Sequence, residues 1–230
     1  SINDNEIESI VVAHFPALTT LSMSSNKLET LDISSNIVMR TLNISNNYFE
    51  TIDLSSNPDL KWLDFSNNEL SNLDLSLNEM LEELNGDNNQ LKGINLGNNL
   101  IIKKISFASN ALETLNLEDY TSLEELNIRD NQLTEFSSNS LINLKNFNCS
   151  SNQITELDLS LNTALTDLNC SSNELWSLNI KNGNNGVLET MNATNNPNLL
   201  CIQVDDKNNE DWRKDEIADY SDDCHYFETN

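Results

Sequence analysis

An apolar residue returns every 21 positions, at Leu18, Met39, Leu60, Leu81, Ile102, Leu123, Leu144 and Leu165. A short unit repeated at a fixed period cannot bury its own apolar face, so units of this kind must stack on one another. Numbering each unit from that residue, positions 1, 4, 6, 11, 14 and 16 are apolar. One unit supplies Met39, Leu42, Ile44, Phe49, Ile52 and Leu54, and the next supplies Leu60, Leu63, Phe65, Leu70, Leu73 and Leu75. Positions 4 and 6 alternate with mostly polar 3, 5 and 7, and positions 14 and 16 alternate with polar 13, 15 and 17. That is the period of a strand with one buried face. Two short strands per coil leave no room for a full helix between them. The expected fold is mainly β: a solenoid with parallel sheets on the concave and opposite faces, little helix, gentle curvature and a C-terminal cap. Each coil buries about six side chains at roughly 1.5 to 3 kcal/mol apiece, but only when its neighbours cover it.

The turns carry their own repeat. Asn26, Asn47, Asn68, Asn89, Asn110, Asn131, Asn152, Asn173 and Asn196 form one column. An inward asparagine can satisfy backbone groups that a buried bend would strand, so this column reads as structural. The second turn repeats the device at Asn36, Asn57, Asn78, Asn99 and Asn162 but not at Tyr120 or Leu141, and the second strand is expected to loosen around Phe136 to Leu141. Gly86 stands at position 6, where the adjacent units have Phe65 and Phe107. Large, small, large reads as volume compensation, with leucine at Gly86 expected to overpack the core.

Residues 1–17 make a partial first coil, residues 18–198 the array, and residues 199–230 a cap. Ser1 to Ala17 begins midway round a coil, which suggests an excised segment with a cap or further units upstream. After Ile180 the period stretches through Lys181 to Val187 and resumes once. In the tail, Asn209 to Asp219 predicts a short helix, and Trp212 is expected to cover the core of the last coil. Of the four cysteines, Cys149 and Cys170 share position 6 and read as core thiols. Cys201 and Cys224 lie beyond the array and read as a disulfide closing the end, although sequence alone leaves three connectivities open. A terminal disulfide favours an oxidising, extracellular setting.

Twelve basic residues against 37 acidic ones give a net charge of −25. That balance disfavours a nucleic-acid backbone or an anionic membrane surface as partner. No apolar run is long enough to span a bilayer. Catalysis has little to work with: His14 and His225 lie at opposite ends, and no phosphate loop, zinc spacing or nucleophile motif occurs, so no cofactor is called for. An acidic pair such as Asp64 and Glu83 is expected by chance in so acidic a chain.

The outward strand positions are the candidate ligand surface: Trp62, Asp64, Glu83, Asn85, Asp87, Lys104, Asn127 and Arg129. Trp62 leads, because a large ring placed outward is what a binding face needs. Glu83, Lys104 and Glu125 read as a solvated charge ladder. Asp32, Asp53, Asp74 and Asp158 share position 15 on the other sheet. Carboxylates one strand apart could take calcium through oxygen, but the serines two residues on favour turn caps. Asn43, Asn148, Asn169 and Asn192 each begin an Asn-x-Ser/Thr triplet, read as a by-product of the repeat.

The unit from Leu144 through Cys149, Asn152 and Leu157 to Ala164 resembles the 21-residue leucine-rich repeats of bacterial surface proteins, most of all the cysteine-ladder internalin type and similar flavobacterial cell-surface proteins. The tail from Asn195 to Asp206, with Trp212 and Cys224, is similar to the end of flavobacterial repeat arrays. That resemblance implies a non-catalytic recognition or adhesion module, secreted or at the cell surface, acting as a monomer on a protein or polysaccharide ligand. A structural spacer presenting another domain is the alternative. Only Cys149 and Cys170 keep the ladder cysteine; other units place Met, Ile, Phe, Gly or Ala there.

Overall fold

The computed structural model describes residues 1–206 and the backbone of a strand at 219–221. The chain divides into two compact units, Ser1–Leu115 and Asn116–Asn230. In the first, five three-residue strands pair in parallel: β1 (Thr20–Ser22), β2 (Thr41–Asn43), β3 (Trp62–Asp64), β4 (Glu83–Asn85) and β5 (Lys104–Ser106). The register is one repeat per strand, so Leu21, Leu42, Leu63, Leu84 and Ile105 lie side by side with their side chains buried. Beneath them positions 1, 6, 11 and 16 fill the core: Leu60, Phe65, Leu70 and Leu75 are fully buried.

In the second unit β6 (Glu125–Asn127), β7 (Asn146–Asn148), β9 (Asp167–Asn169) and β11 (Thr190–Asn192) form the corresponding parallel sheet. A second parallel sheet joins β8 (Glu156–Asp158), β10 (Ser177–Asn179), β12 (Cys201–Gln203) and β13 (Asp219–Ser221). The stretched coil is absorbed by a single 3-10 turn, Asn185–Val187, the one helical element among the described residues. Asp205 ties that loop down: its carboxylate accepts the Gly183 and Asn185 amides at 2.9 Å each, and Asn185 Oδ1 accepts the Asp205 amide at 2.8 Å. Trp212, Cys224 and positions 209–218 of the expected helix lie outside the described residues, and so does the expected pairing of Cys201 with Cys224. Asp219, the last residue of that expected helix, begins β13 instead.

The first turn of each coil uses one conformation throughout. Position 8 is left-handed, with φ between 54° and 58°, at Ser25, Asn46, Asn67, Asn88, Ser109, Asp130, Ser151, Ser172 and Asn195. Short polar side chains tolerate that region better than branched ones. The asparagine that follows completes the bend. Asn68 donates Nδ2 to the carbonyls of Ile44, Phe65 and Ser66, while its Oδ1 accepts the Phe49 amide at 3.1 Å. Asn152 does the same in the second unit with Ile128, Cys149 and Ser150 as acceptors and Leu133 as donor. The column is structural, and every polar atom of these two side chains is used.

The second turn differs between the units. In the first, Asn57 donates to Ile33 and Asn36, and Asn78 to Leu54 and Asn57, but the Oδ1 atoms of Asn36, Asn57, Asn78 and Asn99 are buried without a partner. In the second unit Asn162 Oδ1 lies 2.8 Å from Ser138 Oγ, and Asn162 Nδ2 donates to Ser138 and Leu141. Ser138 occupies position 16, where the first unit has Ile33, Leu54, Leu75 and Leu96. Phe136, at position 14 of the same coil, packs its ring on Phe147 with centroids 5.2 Å apart. No strand forms from Phe136 to Leu141.

Two strands per coil hold only in part. In the first unit the second segment is reduced, among the described residues, to one parallel bridge, Asp74 with Asn95. The position 15 column explains where pairing occurs. Asn95 donates Nδ2 to the Asp74 carboxylate at 3.0 Å, and in the second unit, where β8 and β10 pair, Asn179 donates to Asp158 at 3.1 Å. Asp32, Asp53 and Asp74 instead succeed one another as like charges with no proton to share, and a hollow of about 260 Å³ opens between Asp53 and Asp74.

Gly86 is required by its neighbours. A Cβ there would stand 2.6 Å from Phe65 Cε2 and 3.1 Å from Phe107 Cδ1. The two rings have taken the volume that a side chain at Gly86 would need.

Candidate binding face

Side chains at positions 3, 5 and 7 leave the buried middle of each strand for solvent. In the first unit this brings together six of the eight expected residues on three adjacent strands. Trp62 of β3 is in register with Glu83 of β4, Glu83 with Lys104 of β5, and Asp64 with Asn85. Trp62 is half-buried rather than fully exposed. Asn127 ends β6 and Arg129 follows it in the second unit, where Arg129 pairs with Asp130 at 2.9 Å.

Several of these polar residues also hold the turn. Asp64 Oδ1 accepts the amide of Ser66 at 3.0 Å and its hydroxyl at 2.7 Å, and Asn85 Oδ1 accepts the Asp87 amide at 3.1 Å. The pattern is general: Asn43 with Ser45, Asn148 with Ser150, and Asn169 with Ser171. It fails where position 5 is a serine, too short to reach the amide two residues on. There the preceding coil supplies the group. Asp87 accepts the Ser106 hydroxyl at 2.6 Å and the Ala108 amide at 2.7 Å, and Asn3 does the same for Ser22 and Ser24. Asp87 therefore holds the next coil's turn with one oxygen while its side chain remains partly exposed. The sequence signal was there, an acidic residue at position 7 paired with a serine at the next position 5, but it reads as a binding residue until the bond is seen.

Beside the face, position 2 carries a charge ladder. Lys61 pairs with Glu82 at 2.8 Å and, in the second unit, Lys145 with Glu124 at 2.6 Å. The Lys61 hydrogen bond and charge hold the Glu82 carboxyl below its usual range. Exposed pairs of this kind add little stability, but they fix the sign of charge presented at each height.

On the opposite side the position 15 carboxylates are turn caps. Ser34 bonds Asp32, Ser55 bonds Asp53, Ser76 bonds Asp74 and Ser160 bonds Asp158 through backbone amides at 2.9 to 3.0 Å. Hydrogen bonds from Ser34, Ser55 and Ser76 hold Asp32, Asp53 and Asp74 below the ordinary value of 3.8. Among the described residues no three carboxylate, histidine or cysteine groups converge as a metal site would need. Cys149 and Cys170 are buried thiols outside any disulfide, and burial, followed by the neighbouring Cys170, pushes Cys149 well above its usual value. A thiol held protonated and out of solvent is a core residue, not a nucleophile.

No protein-family model matches the sequence, and no curated protein matches it. Solved structures do. The functional domain of InlJ from Listeria monocytogenes, which includes a cysteine ladder, is 25% identical with a TM-score of 0.77 over 87% of this chain and 52% of that one. A leucine-rich repeat protein of Leptospira interrogans is 22% identical, with a TM-score of 0.75 over 96% of this chain and 55% of that one. YopM from Yersinia enterocolitica is 25% identical, with a TM-score of 0.63 over 87% of this chain and 40% of that one. The chain thus spans about half the length, or less, of these three structures.

Proposed function

Taking the chain as a leucine-rich repeat solenoid similar to those of bacterial internalins, we propose that it is a non-catalytic recognition or adhesion module of a secreted or cell-surface protein. It acts as a monomer and takes its protein or glycan ligand on the strand face of the first unit. The observation that carries this reading is Trp62, a half-buried indole on β3 in register with Glu83 and, one strand further, Lys104. An indole set on a rigid strand and ringed by polar groups can be desolvated by a partner at little conformational cost. Asp64, Asn85 and Asp87 are pre-positioned by the bonds that hold their turns, so a ligand meets groups already ordered.

Purified protein screened against arrays of proteins and polysaccharides, with Trp62→Ala beside it, tests this. A ligand whose affinity falls at least about tenfold in the variant supports the assignment, since buried interface tryptophans are commonly worth more than 1.4 kcal/mol. A ligand held equally by both moves the site elsewhere. If nothing binds, the uniform Asn, Ser and Thr positions of the face favour the spacer reading.

A further inference from the structure

The second unit carries a feature of its own on the same kind of face. Asn148, Asn169 and Asn192 lie in register at position 5 of β7, β9 and β11. Each is held the same way. Asn148 Oδ1 accepts the Ser150 amide at 3.1 Å and hydroxyl at 2.7 Å, Asn169 Oδ1 those of Ser171 at 3.2 and 2.7 Å, and Asn192 Oδ1 those of Thr194 at 3.1 and 2.8 Å. A backbone amide can only donate, so the atom facing it must be the carbonyl oxygen, and the orientation of all three side-chain amides is fixed. Their Nδ2 groups consequently face outward, and they make no hydrogen bond among the described residues. The result is a straight row of N–H donors repeating at the parallel strand spacing of ~4.8 Å. In the first unit the equivalent row is interrupted by Asp64 and Ser106.

We propose that this row binds a neutral, extended 1,4-linked polysaccharide lying along the stack, one sugar per coil. This rests on the reading of the strand face as a recognition surface and gives its second ligand-contacting patch a chemical class. Three arguments select the occupant. The donors are evenly spaced, and an extended pyranose chain offers ring and hydroxyl oxygens at an interval close to one strand spacing. A peptide strand presents same-side carbonyls only every second residue, ~6.6 to 6.8 Å apart, and falls out of step after one coil. The chain's net charge of −25 repels a polyanion even though the local row consists of donors. The neighbouring Asp167 does not counter the row, because its two oxygens accept the Thr190 and Thr166 hydroxyls.

The variant that tests this is supplied by the protein itself. Asp64 occupies the same position in the first unit and holds Ser66 by the same two bonds, so Asn→Asp keeps the turn and only reverses the outward group from donor to acceptor. Affinity electrophoresis of the full chain in gels containing soluble neutral glucomannan is expected to retard it, with alginate, of the same linkage but charged, retarding it far less. Asn148→Asp combined with Asn169→Asp is expected to weaken the glucomannan affinity at least tenfold with an unchanged melting temperature, while Trp62→Ala leaves it as it was. Should the double variant melt early, Asn192→Asp alone, on the exposed strand, is read in its place and is expected to weaken binding severalfold. Absence of retardation by glucomannan, or equal retardation of wild type and Asn→Asp variant, overturns the proposal. A protein ligand lost with Trp62→Ala would in that case leave the broader recognition reading standing.

Discussion

The second segment of the coil behaves differently in the two units although, Ser138 aside, its apolar pattern is the same in both. In the first unit Asp32, Asp53 and Asp74 follow one another, a single bridge forms, and four asparagine oxygens are buried unpaired. In the second, Asn179 meets Asp158, Ser138 meets Asn162, and a ladder of strands forms. The contrast teaches that periodic leucines stack the coils but do not zip them. Where an asparagine follows an aspartate at position 15 the backbones pair, and where a second aspartate follows they do not.

The largest test removes the asparagines themselves. Asn162→Ala is expected to cost roughly 3 to 4 kcal/mol, because two buried carbonyls lose their donor and the Ser138 hydroxyl is left with the Asp158 carbonyl alone, while Asn78→Ala costs roughly 2 to 3 kcal/mol, because only its donors were in use. Urea unfolding of the two variants reads the difference, and equal costs would mean that the unpaired oxygen is no burden. Next comes Ser138→Ala, which gives the second unit the unpaired oxygen of the first. It is expected to destabilise by about 1 to 2 kcal/mol and to raise amide exchange around Asn162. A variant as stable as wild type would remove the hydroxyl from the explanation.

Smaller still, Asp53→Asn replaces the like-charge contacts with Asp32 and Asp74 on either side by amide–carboxylate contacts. A slight rise in melting temperature and slower exchange near Asp53 and Asp74 are expected, and faster exchange would refute the repulsion argument. Acid titration gives the smallest signal. Asp32, Asp53 and Asp74 are held below 3.8 by their serines, so their folded-state pKa values are depressed. The stability they add is present above that value and is lost as pH falls through the lower folded values. Melts between about pH 5 and pH 2 should therefore show wild type losing more stability than a variant with Asp32, Asp53 and Asp74 changed to Asn, which still accepts the serine amides but does not titrate, and parallel profiles would count against charged caps.

Most of the fold was legible because it rests on spacing. Leu21, Leu42 and Leu63 align at one repeat per strand, the asparagine column closes the first turn, and Gly86 lies between the two phenylalanine rings, each as the pattern predicts. What spacing could not show was which partner a polar atom chooses. Asp87 and Asp64 sit where a ligand would find them, yet each has an oxygen engaged in holding a turn, and Asp87 reaches into the next coil to do so. Nor could the pattern at positions 14 and 16 reveal that the second strands depend on the residue between them. The three Asn-x-Ser/Thr triplets of the second unit looked incidental because their meaning lies in the orientation of an amide, which no spacing encodes.

The first-turn asparagine has an evolutionary consequence. Asn68 reaches back to Ile44 and Phe49, and Asn152 back to Ile128 and Leu133, so each coil finishes the one before it with an identical set of bonds. Duplication or deletion of one whole period in the gene would bring together ends that already fit, whereas a break at any other length would leave a bend half closed. Molecules of this design can thus change their reach in heritable steps of a single module without inventing a new junction.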